Sequence, residues 1–252
     1  MRRILVSFMF YVSMMVVAEA AIRSDVAVIT ASEDLQYSTQ EIAKDYLLNY
    51  IYPTKTSFHK EAYSNLLTLD SKIKAIITNT NDQKTKGILS YFATQKADIV
   101  DILKGKVVSD SIEPIVGISE IFVEGSQSIM TRHQYKFSEE ERMLMLTKEM
   151  RTLLGAMIKY YAALRINPKD IGYRKGMKKS MHAFEKDLSV INHYVYGTQI
   201  NTTKEYLKRS WTVLSAYLQK IDTVKSPALL SIVSKNMQKM LNDLSTYHSK
   251  NQ

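Results

Sequence analysis

Residues 138–168 read SEEERMLMLTKEMRTLLGAMIKYYAALRINP, and this stretch decides the fold class. Its apolar side chains alternate in steps of three and four residues, which places them along one side of an α-helix: Met143, Leu146, Met150, Leu153, Met157, Tyr160 and Leu164. Ser138 and Glu141 form a capping-box pattern, so the helix should begin there. It should end at Asn167, because a residue that precedes a proline avoids the helical region.

The same apolar spacing continues through the rest of the chain and predicts an all-α protein. Eight glycines and four prolines in 252 residues leave few interruptions, which favours long helices. Apolar residues hardly ever alternate with a period of two, so strands are not expected. The predicted helices span residues 33–52, 57–79, 83–104, 112–133, 138–166, 170–192, 202–223 and 227–248.

The second half of the chain repeats the first. The apolar steps of the helix around Phe58 recur in the helix around Tyr173, and Pro53 lies 115 residues before Pro168. The third pair of helices matches at an offset of 119 and the fourth at 115. The first pair matches at 108, where the motif at residues 39–42 resembles residues 147–150. Four pairs in the same order indicate a duplication.

We therefore predict two tandem antiparallel four-helix bundles that form an elongated protein, with units at residues 21–134 and 135–252. Residues 133–138 between the units contain neither Gly nor Pro. The last helix of the first unit is accordingly expected to run almost straight into the first helix of the second.

The N-terminus has the layout of a secretory signal peptide. Arg2 and Arg3 precede an apolar run from Ile4 to Val17, and small residues flank Glu19. We predict a signal peptide over residues 1–20 with cleavage after Ala20, and a periplasmic or secreted product. The alternative is an uncleaved anchor, although the apolar run is shorter than the roughly 20 residues that span a bilayer.

Composition limits the chemistry. The absence of cysteine excludes disulfides, thiolate metal sites and covalently attached haem. The net charge of +9 is spread along the chain, so nucleic acid is not an expected partner. The expected partner is either a small anion or a protein, namely a membrane-bound sensor or another envelope protein. The sequence is also compatible with an oligomer.

Motifs for catalysis or metal binding are absent from the sequence. No Glu has a His three residues later, as di-iron bundles require, and the five histidines are not spaced as metal ligands. No phosphate-binding loop, nucleophile elbow or zinc-protease motif occurs. The methionines at 143, 150 and 157 lie on the core stripe, which favours packing over copper binding. We predict no cofactor, no metal and no enzymatic activity.

Two basic features are candidate binding residues. Arg174, Lys175, Lys178 and Lys179 lie opposite the apolar side of their helix, as a solvated face or as a site for an anionic partner. Arg142 lies in the first turns of its helix, where the helix N-terminus favours anions and an arginine can bind one in a bidentate manner.

The segment ERMLMLTKEM at residues 141–150 resembles a signature in the sensor domains of type IV pilus methyl-accepting chemotaxis transducers, which are related to those of nitrate/nitrite sensor kinases. The segment STQEIAKDY at residues 38–46 resembles the end of the same signature. The resemblance implies periplasmic helical bundles over about residues 30–252. Arg142 matches the first arginine of the signature, which in the nitrate sensors contributes to binding the anion across a dimer. Leu144 and Glu149 replace the other two.

The signal peptide, the repeat and the resemblance together predict a non-catalytic, sensor-like binding or accessory protein. Its ligand would be a small anion or its partner a membrane sensor. The alternative is a structural or interaction protein of the cell envelope that has no small ligand.

Overall fold

The computed structural model describes residues 2–133, 135–223 and 226–251, with side chains from Ser24 onward. These residues form eight α-helices and no strand, so the all-α prediction is confirmed. The helices are α1 (Arg2–Ile51), α2 (Thr56–Asn79), α3 (Gln83–Lys104), α4 (Ile112–Arg132), α5 (Glu139–Ile166), α6 (Ile171–His193), α7 (Thr198–Gln219) and α8 (Pro227–Lys250).

Short polar side chains begin several helices by bonding free backbone N–H groups. Ser138 accepts a hydrogen bond from the Glu141 backbone N–H, while the Glu141 carboxylate accepts one from the Ser138 N–H, which completes the predicted capping box. Asp82 and Asp170 cap α3 and α6, because each side chain accepts a hydrogen bond from the backbone N–H three residues later.

Two of the predicted helices have wrong bounds. The first was expected to begin at residue 33, but α1 begins at Arg2, because no Gly or Pro interrupts the chain before Pro53. The seventh was expected at 202–223, but it begins at Thr198, immediately after Gly197. The predicted signal peptide at residues 1–20 lies outside the described side chains. Among the residues that are described, no helix is both long and apolar enough to span a membrane.

Two helices lie at the centre of the structure. α1 packs against α2, α4 and α5, while α5 packs against α1, α6 and α8. α2 contacts α3 and α3 contacts α4, and in the same way α6 contacts α7 and α7 contacts α8. α1 and α5 run in the same direction, since Asp34 contacts Lys148, Tyr37 contacts Arg151, and both contacts join residues 114 apart.

The chain breaks between α4 and α5 instead of continuing as one helix. α4 ends at Arg132, and the capped start of α5 follows after a short connection. The prediction that the last helix of the first unit runs almost straight into the first helix of the second is therefore wrong. α1 instead packs laterally on α5.

Equivalent contacts relate the two halves by 115 residues. His133 places Nδ1 2.7 Å from Asp25, and His248 places Nδ1 2.6 Å from Glu140. Both the histidines and the carboxylates are 115 residues apart. The offset of 108 predicted for the first pair of helices is therefore wrong.

Candidate functional site

Arg142 is solvent-exposed in the first turn of α5. Its backbone N–H donates to the Ser138 carbonyl at 3.0 Å. Three carboxylates share this turn, at Glu139, Glu140 and Glu141. The position is thus at a helix N-terminus, as predicted, but the neighbouring charges are negative.

The four basic residues of α6 do not face one surface. Arg174 pairs with Asp222, in the turn after α7, at 3.1 Å, and with Lys178 it borders a groove between α6 and α7. Lys175 is exposed. Lys179 instead lines a cavity on another side of α6. The predicted basic face is therefore divided between two different environments.

The cavity that Lys179 lines lies between α1, α4, α5 and α6 and has a volume of about 280 Å³. We call it the central cavity. Its wall is rich in neutral polar groups, which are Gln36, Gln40, Gln127, Thr152, Tyr160 and Ser180. A concave surface that combines amides and hydroxyls with few charges suits a small polar ligand.

One end of the central cavity contains an ion pair in which the lysine is buried and the glutamate is partly exposed. The fully buried Lys159 donates to Glu120 and, at 3.0 Å, to the Ser119 hydroxyl. Burial lowers the pKa of Lys159. Burial alone would raise the pKa of Glu120, but Lys159, with hydrogen bonds from Tyr160 and Gln40, holds this pKa below its ordinary value. Glu120 is therefore ionised and already neutralised by Lys159.

Three carboxyls gather near the other end. Glu149 lines the cavity, and its charge interacts with those of Glu33 and Asp187. Burial and the charge of Glu149 raise the pKa of Glu33 to about 8 and that of Asp187 to about 7. Glu33 Oε2 and Asp187 Oδ2 are buried without a hydrogen-bond partner. Buried groups of this kind are unstable as free anions.

A second cavity of about 320 Å³ occupies the equivalent place in the other half, between α1, α2 and α8. Lys235 and Glu61 form an ion pair of 2.6 Å at its wall, and Gln238 donates to Glu41 at 3.0 Å. In the central cavity the positions equivalent to Lys235 and Glu61 are Glu120 and Gly176. In the second cavity an ion pair thus joins α2 and α8, whereas Glu120 and Gly176 cannot form the equivalent ion pair between α4 and α6 in the central cavity.

Two buried histidines are each paired with a carboxylate, as catalytic histidines often are, but other side chains shield them from solvent. His133 Nε2 lies 3.3 Å from the Thr80 hydroxyl, and His248 Nε2 lies 2.9 Å from that of Tyr196. Their side chains are 7% and 0% exposed. With both nitrogens occupied, each histidine holds helix ends together. Within the described part of the chain, no three His, Cys, Asp or Glu side chains are arranged to hold a metal ion.

Of the residues that line the central cavity, sequence reasoning had named only Lys179 as a binding candidate. Gln40 in its wall, and Glu33 and Lys159 next to its charged residues, lie on sides of α1 and α5 that face other helices. One signal was present, since Lys159 interrupts the apolar run from residue 153 to 164. Comparison with known protein families, curated proteins and solved structures found no match to this chain.

Proposed function

We propose that the chain is an exported, non-catalytic, sensor-like protein that binds a small polar ligand in the central cavity. The observation that carries this proposal is the carbonyl oxygen of Gln40. This side chain lines the cavity and is 2% exposed, yet its Oε1 has no hydrogen-bond partner. A buried acceptor without a partner costs free energy that a bound ligand would recover.

We interpret the eight helices as two four-helix bundles, at residues 21–134 and 135–252, that arose by duplication. The repeated order of helix contacts and the equivalent pairs at His133 and His248 support this interpretation. The resemblance at residues 141–150 favours a sensor-like role. The matching partner would be a membrane-bound sensor or another envelope protein.

The geometry favours the central cavity over Arg142 as the ligand site. Arg142 is exposed and stands beside three glutamates, which repel an anion. Ser138 also accepts from the Glu141 N–H, so the helix N-terminus is partly satisfied without a ligand. Anion binding at Arg142 stays a proposal, tested with Arg142→Ala.

A thermal-shift screen of small polar compounds and anions tests the proposal, because a ligand that binds only the folded protein raises its Tm. Ala183→Phe would fill the central cavity from α6. Ala97→Phe places the same side chain on the exposed side of α3 and is the control. We expect at least one compound to raise the Tm of the wild type and of Ala97→Phe, but not of Ala183→Phe.

A screen in which no compound raises the Tm would overturn ligand binding. That result would favour the structural or interaction protein, which needs no small ligand.

A further inference from the structure

We infer that the ligand of the central cavity is a small organic cation, namely an aliphatic amine that carries a second hydrogen-bonding group. The inference rests on the proposed function, since it names the ligand class of the same cavity. The juxtaposition that supports it is Glu149 at one end of the cavity and the unpartnered Oε1 of Gln40 in the wall towards Glu120.

Three of the unpartnered buried atoms are oxygens of residues that line the cavity or interact with the charge of Glu149. They are Gln40 Oε1, Glu33 Oε2 and Asp187 Oδ2, on α1 and α6. The amide oxygen of Gln40 only accepts hydrogen bonds, and Glu33 and Asp187 become pure acceptors when they ionise, which a bound ammonium group favours. The complementary ligand must therefore donate, and an ammonium group offers three donors in a compact space. An anion would add a further acceptor where donors are missing.

Charge at this end of the cavity points to the same ligand. Lys148 pairs with Asp34 at 3.1 Å, which leaves Lys186 as the cation that interacts with Glu149 and Asp187. Lys179 lines the cavity too. One ammonium group at Glu149 would balance the excess of carboxyls, and a charge-assisted hydrogen bond is about twice as strong as a neutral one.

The size of the cavity limits the ligand. A volume of about 280 Å³ corresponds to roughly nine water molecules at the liquid's ~30 Å³ each. An amine with a short chain and one hydroxyl fits that volume. Its ammonium would lie at Glu149, and its hydroxyl among the amides of Gln36, Gln40 and Gln127.

Three probes of similar length separate the charge types: 4-aminobutan-1-ol, neutral butane-1,4-diol and anionic 4-hydroxybutyrate. We expect the amine alone to raise the Tm, by about 3 °C or more at ten times its Kd. Glu149→Gln should weaken amine binding by about tenfold or more. Glu205→Gln on α7, which does not line the cavity, should leave amine binding unchanged.

Calorimetry gives a second readout. Amine binding should favour the ionised form of Glu33, whose charged surroundings are Asp34 on α1, Lys148 and Glu149 on α5, and Asp187 on α6. Protons would then be released near pH 7.5, and the binding heat would change with the ionisation enthalpy of the buffer.

The outcomes separate the two proposals. If the diol or the hydroxybutyrate raises the Tm, Ala183→Phe abolishes the effect and the amine does nothing, the inferred cation is wrong while ligand binding in the cavity stands. If the amine raises the Tm equally in the wild type and in Glu149→Gln, the inferred position of the ammonium is wrong. If no probe and no screened compound raises the Tm, both proposals fall.

Discussion

His133 and His248 make the same contact in the two halves of the chain, 115 residues apart. Each places Nδ1 against a carboxylate of the helix that opens its half, at 2.7 Å from Asp25 and 2.6 Å from Glu140. Because an ionised carboxylate accepts only, Nδ1–H is the donor in both pairs. The pairs therefore join the last helix of each half to the first.

Replacing His248 should destabilise the protein substantially. His248→Ala removes a fully buried ring that packs against Tyr194, Tyr196 and Tyr247, and it leaves Glu140 without this donor. We expect a loss of about 2–4 kcal/mol in the free energy of unfolding, measured by urea denaturation. His193→Ala, at an exposed position, should cost less than about 0.5 kcal/mol. Equal costs for the two variants would contradict the structural role.

Two glycines of α4 should respond to alanine in opposite directions. A Cβ at Gly125 would lie 2.5 Å from the Phe92 ring, which itself stacks on Phe122. A Cβ at Gly117 meets nothing within 4 Å. Gly125→Ala should cost about 1–3 kcal/mol by overpacking. Gly117→Ala should stabilise by up to about 1 kcal/mol, because alanine favours the helix.

Measured side by side in urea, these alanine variants test the close packing of α3 on α4. A stabilising Gly125→Ala would show that the ring of Phe92 moves aside freely.

The stability of the protein should fall as the pH rises towards 8. The pKa of Glu33 is raised from 4.5 to about 8 in the folded protein, so the folded state binds this proton more tightly than the unfolded chain does. This contribution is fully present below about pH 4.5 and is lost as the pH rises through about 8.

Glu33→Gln cannot ionise and should remove this part of the pH dependence. When the pH is raised from 5 to 8.5, the free energy of unfolding of the variant should rise relative to that of the wild type by an amount on the order of 2 kcal/mol. Urea denaturation at both pH values measures the difference, with Glu124→Gln at an exposed position of α4 as the control. Parallel curves for the wild type and Glu33→Gln would refute the assignment.

The capping box at Ser138 should contribute about 1 kcal/mol to stability. Ser138→Ala removes the acceptor for the Glu141 N–H, and such changes cost about 0.5–2 kcal/mol. Ser111 also precedes a helix, but its side chain makes no capping bond, so Ser111→Ala should be nearly neutral. A thermal melt of each variant measures both effects, and a larger loss for Ser111→Ala would count against the capping role.

Helix positions were largely predictable from the sequence because the apolar spacing and the caps are local. α3 has the predicted bounds, and α2 and α4 agree within one residue. The start of α1 was not predictable in this way, since a helix without Gly or Pro carries no local stop signal. The start of α7 depends on Gly197, whose backbone conformation the apolar pattern does not report.

The central cavity was not predictable, because its residues lie where two amphipathic patterns meet. The stripe of α5 marked Leu153 and Tyr160 as core, yet both are only partly buried. Leu154, Ile158 and Tyr161 on other sides of α5 are fully buried instead. A helix enclosed on several sides loses the contrast between its faces, and this contrast is the signal that a sequence pattern reports.

The parallel contact between α1 and α5 joins two similar surfaces within one polypeptide. Separate subunits that met in this way would associate only above a threshold concentration, and every substitution would appear on both sides. Here the connection from α4 to α5 makes the contact between α1 and α5 intramolecular, so its stability does not depend on the protein concentration. The two halves can also differ from each other, as Gly176 of α6 and Glu61 of α2 do at equivalent positions. If the central cavity binds the proposed ligand and the ion pair of Lys235 and Glu61 closes its counterpart, each chain would bind one ligand.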